Sequence, residues 1–338
     1  MADRRLTTGS KTGSSGLGFA AGIIAAALGG WILYSRYGVN HDLYLPDALT
    51  ARRDTWTSAR VGQMNYYADG EGIAGRPLVL IHSVNAAASA YEMAPFFNHY
   101  RGQRPIFALD LPGFGFSERS RRIYSPQLYQ DAISDFLASV VKEPADVIAL
   151  SLGGEFAARA ALAKPRSFHS LAILSPTGLS RRGAQSASQQ ARASGLSNAL
   201  HPFLSFRLWA RPVFDLIATR SSIEYFLGLS FVDTIPTGMI DYCYKSAHQP
   251  GAEFAPLYFV SGKLFTAQVR SRVYEQLRLP VLAIYDHDPY SQFETLPDLL
   301  LKNHHWQAVR LVPSKGLPHW ERIADTVEVM DAFWKGLK

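Results

Sequence analysis

The stretch VIALSLGGEFAARAAL, residues 147–162, decides the fold. Four apolar residues run into a serine flanked by small residues, and an alanine-rich helical pattern follows at once. Ser151 is then either a nucleophile on a sharp turn or a small residue filling a tight corner. The pentapeptide ALSLG has the form small-x-Ser-x-Gly, with Ala149 and Gly153 two residues to either side of the serine. A strand-to-helix turn of this kind lifts a hydroxyl clear of the backbone, and bulk at either flanking position would collide with the neighbouring strand or helix. The helix that starts there directs free N–H groups and its positive dipole end at any oxyanion formed on Ser151. Short Ser/Gly patterns are common, so the signal is the placement after DVIAL and before GEFAARAAL.

Outward from this turn the chain alternates short apolar runs with helical stretches. QMNYYADG alternates like a half-exposed strand, whereas PLVLIHS and RPIFALDLPGFG are continuous apolar runs closed by turn residues. ADVIALS, SLAILSP, LPVLAIYD and QAVRLVPS continue the series. Such an order predicts an α/β protein with a mainly parallel sheet covered on both faces. Chemistry in such sheets gathers at the carboxyl ends of the strands. Those ends carry His82 and Ser83, Asp110 and Gly113, Ser151, Asp288 and, in the last loop, His319.

Five ordered stretches together resemble the α/β-hydrolase superfamily: PLVLIHS, FALDLPGFGFSER, ALSLGG, LPVLAIYDHDP and GLPHWERIADTVEVMDAFW. The resemblance covers residues 57–177 and 278–338. It implies an eight-stranded sheet, a Ser/Asp/His triad in that chain order and a helical cap after the sixth strand. Carried onto this chain, it makes Ser151 the nucleophile at its elbow, with Ala149 and Gly153 as the small residues. Asp288 stands at the acid position before Pro289, with Asp286 a competitor two residues earlier. The backbone N–H groups of Val84 and Leu152 become the oxyanion donors. Two departures stand out. The usual His-Gly after the third strand is His82-Ser83, followed by Val84 and Asn85, so Ser83 and Asn85 either add donors or cap the following helix, the second being favoured; His82 reads as a structural hydrogen-bonder. Family members place the catalytic histidine five residues before a glutamate, and counting back from Glu321 gives Gly316. His319 matches a second, non-catalytic histidine of many members, but it is the one histidine in this loop, and a small change of loop path would bring it to the serine as base.

The N-terminus gives a separate signal. GLGFAAGIIAAALGGWILY, residues 16–34, holds no charge, and its length suits one helix crossing about 30 Å of hydrocarbon. Trp31 and Tyr34 fit an interfacial belt, and the alternative is an Ala/Gly-rich buried helix. Arg4, Arg5 and Lys11 precede the span, which places the N-terminus on the cytoplasmic side and the remainder across the membrane. The organisation expected is a polar tail (1–15), a transmembrane helix (16–36), a linker (37–56), hydrolase core (57–177), helical cap (178–277) and the rest of the core (278–338). The cap holds ten Lys and Arg against six Asp and Glu. Its stretch HPFLSFRLWARPVFDLI reads either as an ordinary lid packing its apolar face inward or as a gate that also touches anionic headgroups through Arg207 and Arg211.

Composition narrows the function classes. With 338 residues, 47% hydrophobic and 18% charged, the chain is long enough to bury a large core. The single cysteine, Cys243, excludes an internal disulfide and any multi-cysteine zinc site. A net charge of +6 without a basic run argues against nucleic acid as a partner. No HExxH, P-loop or GxGxxG occurs, so neither metal nor dinucleotide cofactor is expected. A carboxylate nucleophile, as epoxide hydrolysis needs, is absent from position 151. The expectation is a membrane-anchored serine hydrolase that cleaves an apolar, lipid-like carboxylic ester through Ser151, Asp288 and His319. An amidase or perhydrolase shares the same triad. The alternative is a non-catalytic ligand-binding or interaction protein that kept the elbow and lost its base, because position 316 is glycine.

Overall fold

The computed structural model describes residues 14–181 and 196–337. Eight strands form one sheet in the order β1-β2-β4-β3-β5-β6-β7-β8. In chain order the elements are helix α1 (Ser14–Gly38), strands β1 (Arg52–Ser58), β2 (Gly62–Asp69) and β3 (Leu78–Ile81), helix α2 (Ala94–Tyr100), β4 (Ile106–Leu109) and α3 (Pro126–Phe136). Then come β5 (Ala145–Leu150), α4 (Leu152–Ala163) and β6 (Phe168–Leu174). The cap supplies α5 (Leu196–Leu204), α6 (Ala210–Ile217), α7 (Arg220–Leu229), α8 (Met239–Ala247), α9 (Phe254–Val260) and α10 (Val269–Arg272). The chain closes with β7 (Val281–Tyr285), α11 (Leu296–Lys302), β8 (Trp306–Arg310), α12 (Pro318–Glu321) and α13 (Ile323–Lys335). The helices α5 to α10 thus lie between the sixth and seventh strands.

From β4 to β8 all neighbours run parallel, and only the hairpin β1–β2 and the β2–β4 pair are antiparallel. Every residue of β5 is buried, so it reads as a continuous apolar run. Its side chains still alternate between faces: Val147 and Ala149 pack with α3 and α4 residues such as Ile133, Phe136 and Phe156, while Ile148 and Leu150 pack with Phe96, Phe97, Met330 and Phe333 of α2 and α13. The expected linker ends sooner than the sequence suggests, because RRDTWTS forms β1; as a mostly exposed edge strand it carries polar residues that read as loop.

The expected single-pass membrane anchor at 16–36 needs correcting, and its sidedness goes with it. Among the described residues no helix is long and apolar enough to cross a membrane. The segment is helical, and its C-terminal turns are engaged by the cap. Trp31 Nε1 donates to the Pro212 carbonyl at 2.8 Å, and Ser35 Oγ donates to Asp215 Oδ2 at 2.6 Å. Asp215 also meets His41 Nε2 at 2.9 Å and Arg211 Nε at 2.9 Å. Arg211 is further tied to Glu253 at 3.2 Å, so the half of the headgroup reading that rested on it falls as well. The remainder of the polar tail, residues 1–13, and cap residues 182–195 lie outside the described residues.

Candidate active site

Ser151 occupies the junction of β5 and α4 with φ 50° and ψ −121°, outside the ordinary allowed regions for an L side chain. Holding a non-glycine residue there costs about 1–3 kcal/mol. Two hydrogen bonds enforce it: Ser151 N–H donates to the Leu174 carbonyl at 2.8 Å, and the Ser151 carbonyl accepts from Gly154 N–H at 2.9 Å. The small flanks have steric causes. A Cβ on Gly153 would lie 2.2 Å from the His82 carbonyl oxygen, so α4 approaches the end of β3 more closely than any side chain allows. Ala149 is wholly buried in the sheet below.

The N–H groups of Val84 and Leu152 donate to no protein acceptor among the described residues. Leu152 is the first residue of α4, where an N–H lacks an intrahelical partner by construction. These two N–H groups follow the ends of β3 and β5, which are paired parallel.

Ser83 and Asn85 neither point donors into the site nor cap α2. Ser83 N–H and Oγ donate to the two carboxylate oxygens of Glu92 at 2.8 and 3.0 Å, and Asn85 Nδ2 donates to Glu92 Oε1 at 2.7 Å. Asn85 Oδ1 accepts from Ala87 N–H at 2.8 Å, a local turn that precedes the helix. The cap of the helical turn before α2 is Ser89. Sequence reasoning missed Glu92. Its signal was a lone carboxylate in the apolar run AAASAYEMAPFF, which partial burial there obliges to find donors. His82 accepts from Leu111 N–H at Nε2, 2.9 Å, so Nδ1 carries the proton toward the Ser83 carbonyl; burial lowers its pKa to about 4. Both ring nitrogens are spent on structure.

Asp288 lies in the loop after β7. Its Oδ1 accepts from Tyr290 N–H at 2.8 Å, and burial pushes the carboxyl up, partly offset by the N–H groups of Tyr290 and Ser291. Asp286 turns the other way, bonded to Arg310 Nε at 2.8 Å and Ser314 N–H at 2.9 Å, and braces β8 instead. What faces Asp288 is Gly316: a Cβ built there would sit 3.7 Å from Asp288 Oδ1. The Gly316 carbonyl is held by Ser175 Oγ at 3.1 Å, from the end of β6. Ser230 of the cap lies 3.4 Å from the same Cβ position through its own Cβ and 3.5 Å through Oγ. Glu321 joins the two, accepting from Lys315 N–H at 2.8 Å and from Val232 N–H of the cap.

His319, expected as the base, is not brought to the serine. Its Nε2 donates to the Glu92 carbonyl at 2.7 Å, and its ring stacks on Phe96 with centroids 5.2 Å apart at 7°. Nδ1 is buried without a partner, and neither nitrogen bonds Ser151 or Asp288. Burial lowers the ring's pKa to about 4, so it stays neutral near pH 7. The physical reason is the start of α12 at Pro318, which turns the His319 and Trp320 side chains together onto the Glu92 carbonyl. Of the two positions, Gly316 rather than His319 lies beside Asp288.

The loop after β3 is covered by cap side chains: Ala87 packs with Phe214, Ala218, Ala247 and Ala252, and Ala86 and Cys243 border the same cluster. Among the described residues no three His, Cys, Asp or Glu side chains converge in a way that would hold a metal.

Residues 78–329 match the Alpha/beta hydrolase family. A curated relative, the uncharacterized hydrolase YugF of Bacillus subtilis (strain 168), is 31% identical over 118 residues, which is 35% of this chain and 42% of that protein. The alignment therefore spans less than half of that relative. Among solved structures, a membrane phospholipase A superposes with a TM-score of 0.64 at 19% identity, covering 95% of this chain and 96% of that one. A putative lipase from Acinetobacter baumannii AYE gives 0.65 at 18%, covering 85% and 91%. The carboxylesterase CesB (YbfK) from Bacillus subtilis gives 0.60 at 17%, covering 86% and 94%. At these identities the structural likeness is one of fold.

Proposed function

The chain belongs to the alpha/beta hydrolase family of hydrolytic enzymes, and on that premise we propose that it cleaves a carboxylic ester through an acyl-enzyme on Ser151, without a histidine base of its own. The observation that carries this reading is the strained elbow: a non-glycine φ of 50° held by two hydrogen bonds, beside two N–H groups with no protein acceptor. Strain of that kind persists only where the surroundings over-determine it, and it concentrates at reacting groups.

The chemistry runs from Ser151 Oγ to the ester carbonyl. The bond formed is Oγ–C, the carbonyl π pair moves onto oxygen, and Val84 and Leu152 N–H stabilise the resulting oxyanion. Collapse expels the alkoxide or phenoxide, and water later cleaves the acyl-enzyme. With glycine at 316, the serine proton passes to the leaving group, directly or through water. That restricts efficient turnover to activated esters whose leaving group departs without prior protonation. Oxyanion stabilisation and binding alone still give about 10³–10⁴-fold over water. Asp288 remains as the acid member, next to a position where the imidazole is missing. The apolar cap residues over the oxyanion loop support an apolar acyl group.

Fluorophosphonate labelling of the folded chain tests the reading. Slow labelling that disappears in Ser151→Ala is expected. Labelling that survives in Ser151→Ala places the nucleophile elsewhere and refutes it.

A further inference from the structure

The oxyanion turn departs from the family resemblance at Ser83, where glycine is usual, and the structure shows what takes up the difference. Glu92 lies nine residues on, in the helical turn Ala90–Met93, and its carboxylate reaches back to the turn. Oε2 accepts Ser83 N–H at 2.8 Å; Oε1 accepts Ser83 Oγ at 3.0 Å and Asn85 Nδ2 at 2.7 Å. Asn85 Nδ2 also reaches Ser83 Oγ at 3.0 Å, closing the ring of contacts. Val84, the oxyanion donor, sits between the two residues gripped. Among the described residues no cation pairs with Glu92. A half-buried carboxylate without a counter-ion is costly unless hydrogen bonds compensate, and here the compensation comes wholly from the residues either side of Val84. The backbone of Glu92 is fixed just as firmly, since its carbonyl accepts from His319 Nε2 and Trp320 Nε1, both at 2.7 Å. The carboxylate therefore extends from a fixed backbone onto the turn, and the histidine loop is part of that mount.

We infer that Glu92 is a positioning residue of the oxyanion hole, holding the Ser83–Asn85 turn so that Val84 N–H meets the developing oxyanion. The assignment rests on Ser151 and Val84 acting as proposed above. It also gives His319 a role: its imidazole anchors Glu92 through the carbonyl and leaves the serine proton alone.

The geometry sets the expected behaviour of substitutions. Glu92→Gln keeps size but turns an amide nitrogen toward Ser83 N–H or Asn85 Nδ2, setting two donors against each other and displacing the turn. Glu92→Asp keeps two acceptor oxygens on a shorter stem. A displaced donor near the reacting carbon lowers the rate by about 10- to 100-fold. With an activated aryl ester, Glu92→Gln should lower kcat at least about tenfold while KM stays within about twofold. The affinity for a phenylboronate, which forms a tetrahedral adduct on serine, should fall by a similar factor, and Glu92→Asp should recover part of both. Hydrogen exchange read by mass spectrometry should quicken over residues 82–88 and stay unchanged over 147–162. A kcat and boronate affinity unchanged in Glu92→Gln, or a rise in KM with kcat intact, overturns the assignment. If wild type neither turns over the ester nor binds boronate, the reading of Ser151 fails and the oxyanion role of Glu92 falls with it. The exchange result then separately decides whether Glu92 holds the turn, and unchanged exchange overturns that too.

Discussion

Replacing Gly316 by histidine would set an imidazole beside Asp288, and the structure sets out what the substitution gains and what opposes it. The Cβ would lie 3.7 Å from Asp288 Oδ1, so the ring must turn alongside the carboxylate to bring Nδ1 to a charge-assisted distance of about 2.8 Å. Gly316 does not have a positive φ, so an L side chain meets no backbone strain there. The obstacle is Ser230, whose Cβ and Oγ lie 3.4 and 3.5 Å from the new Cβ. A ring extending past these atoms overpacks the cap contact at a cost of about 1–3 kcal/mol. Gly316→His combined with Ser230→Ala reduces that cost. A general base contributes about 10²–10⁴ in rate, so the double variant should react at least about 100-fold faster than wild type in both fluorophosphonate labelling and aryl-ester kcat/KM. Its rate should rise with pH through the titration of the new imidazole, which the Asp288 carboxylate shifts upward, a limb that wild type lacks. Unchanged rates in a folded double variant, together with loss of activity in His319→Gln, would refute the argument and return the base to His319.

Three further outcomes follow from the same contacts. Ser151→Gly removes the nucleophile and the strain together, so it should abolish labelling while raising stability by about 1 kcal/mol in denaturant melts; a loss of stability contradicts the elbow strain. Gly153→Ala drives a Cβ to 2.2 Å from the His82 carbonyl and should lower both stability, by at least about 1–3 kcal/mol, and labelling rate; a neutral effect on the two means that α4 has room to shift. His319 has a folded pKa of about 4 against an unfolded value of 6.5, so the unfolded state takes up its proton first and stability is lost as pH falls through that window. Glutamine at 319 keeps a donor for the Glu92 carbonyl without titrating. His319→Gln should therefore be less stable than wild type at pH 7.5, with the gap narrowing by pH 4.5; a gap independent of pH contradicts the burial of a neutral ring.

Much of the hydrolase core was legible because its determinants are local. The small residues around Ser151 and the turn residues after each strand act within a few positions of themselves, and the loop carrying Asp288 is marked by the strand before it and the proline after it. What was not legible depends on distant partners. The fate of His319 is set by Glu92 and Phe96, more than 220 residues away, and no spacing within SKGLPHWE reveals it. Glu92 was overlooked because a lone carboxylate looks like a helix-surface residue until its donors at 83 and 85 are folded back onto it. The membrane expectation for 16–36 came from a run of uncharged residues, and that run does not reveal that Trp31 and Ser35 bond Pro212 and Asp215 of the cap. The polar strand β1 was hidden in a linker because an edge strand owes its place to backbone pairing with β2.

The most direct test of the account is to trap the reacting residue: incubate the folded chain with a fluorophosphonate, digest it, and map the adduct by mass spectrometry. A single phosphonyl adduct on the peptide carrying Ser151, absent in Ser151→Ala and faster in the Gly316→His/Ser230→Ala variant, is the result expected. An adduct on another residue, or none on a chain shown to be folded, would contradict the assignment of Ser151 as the nucleophile.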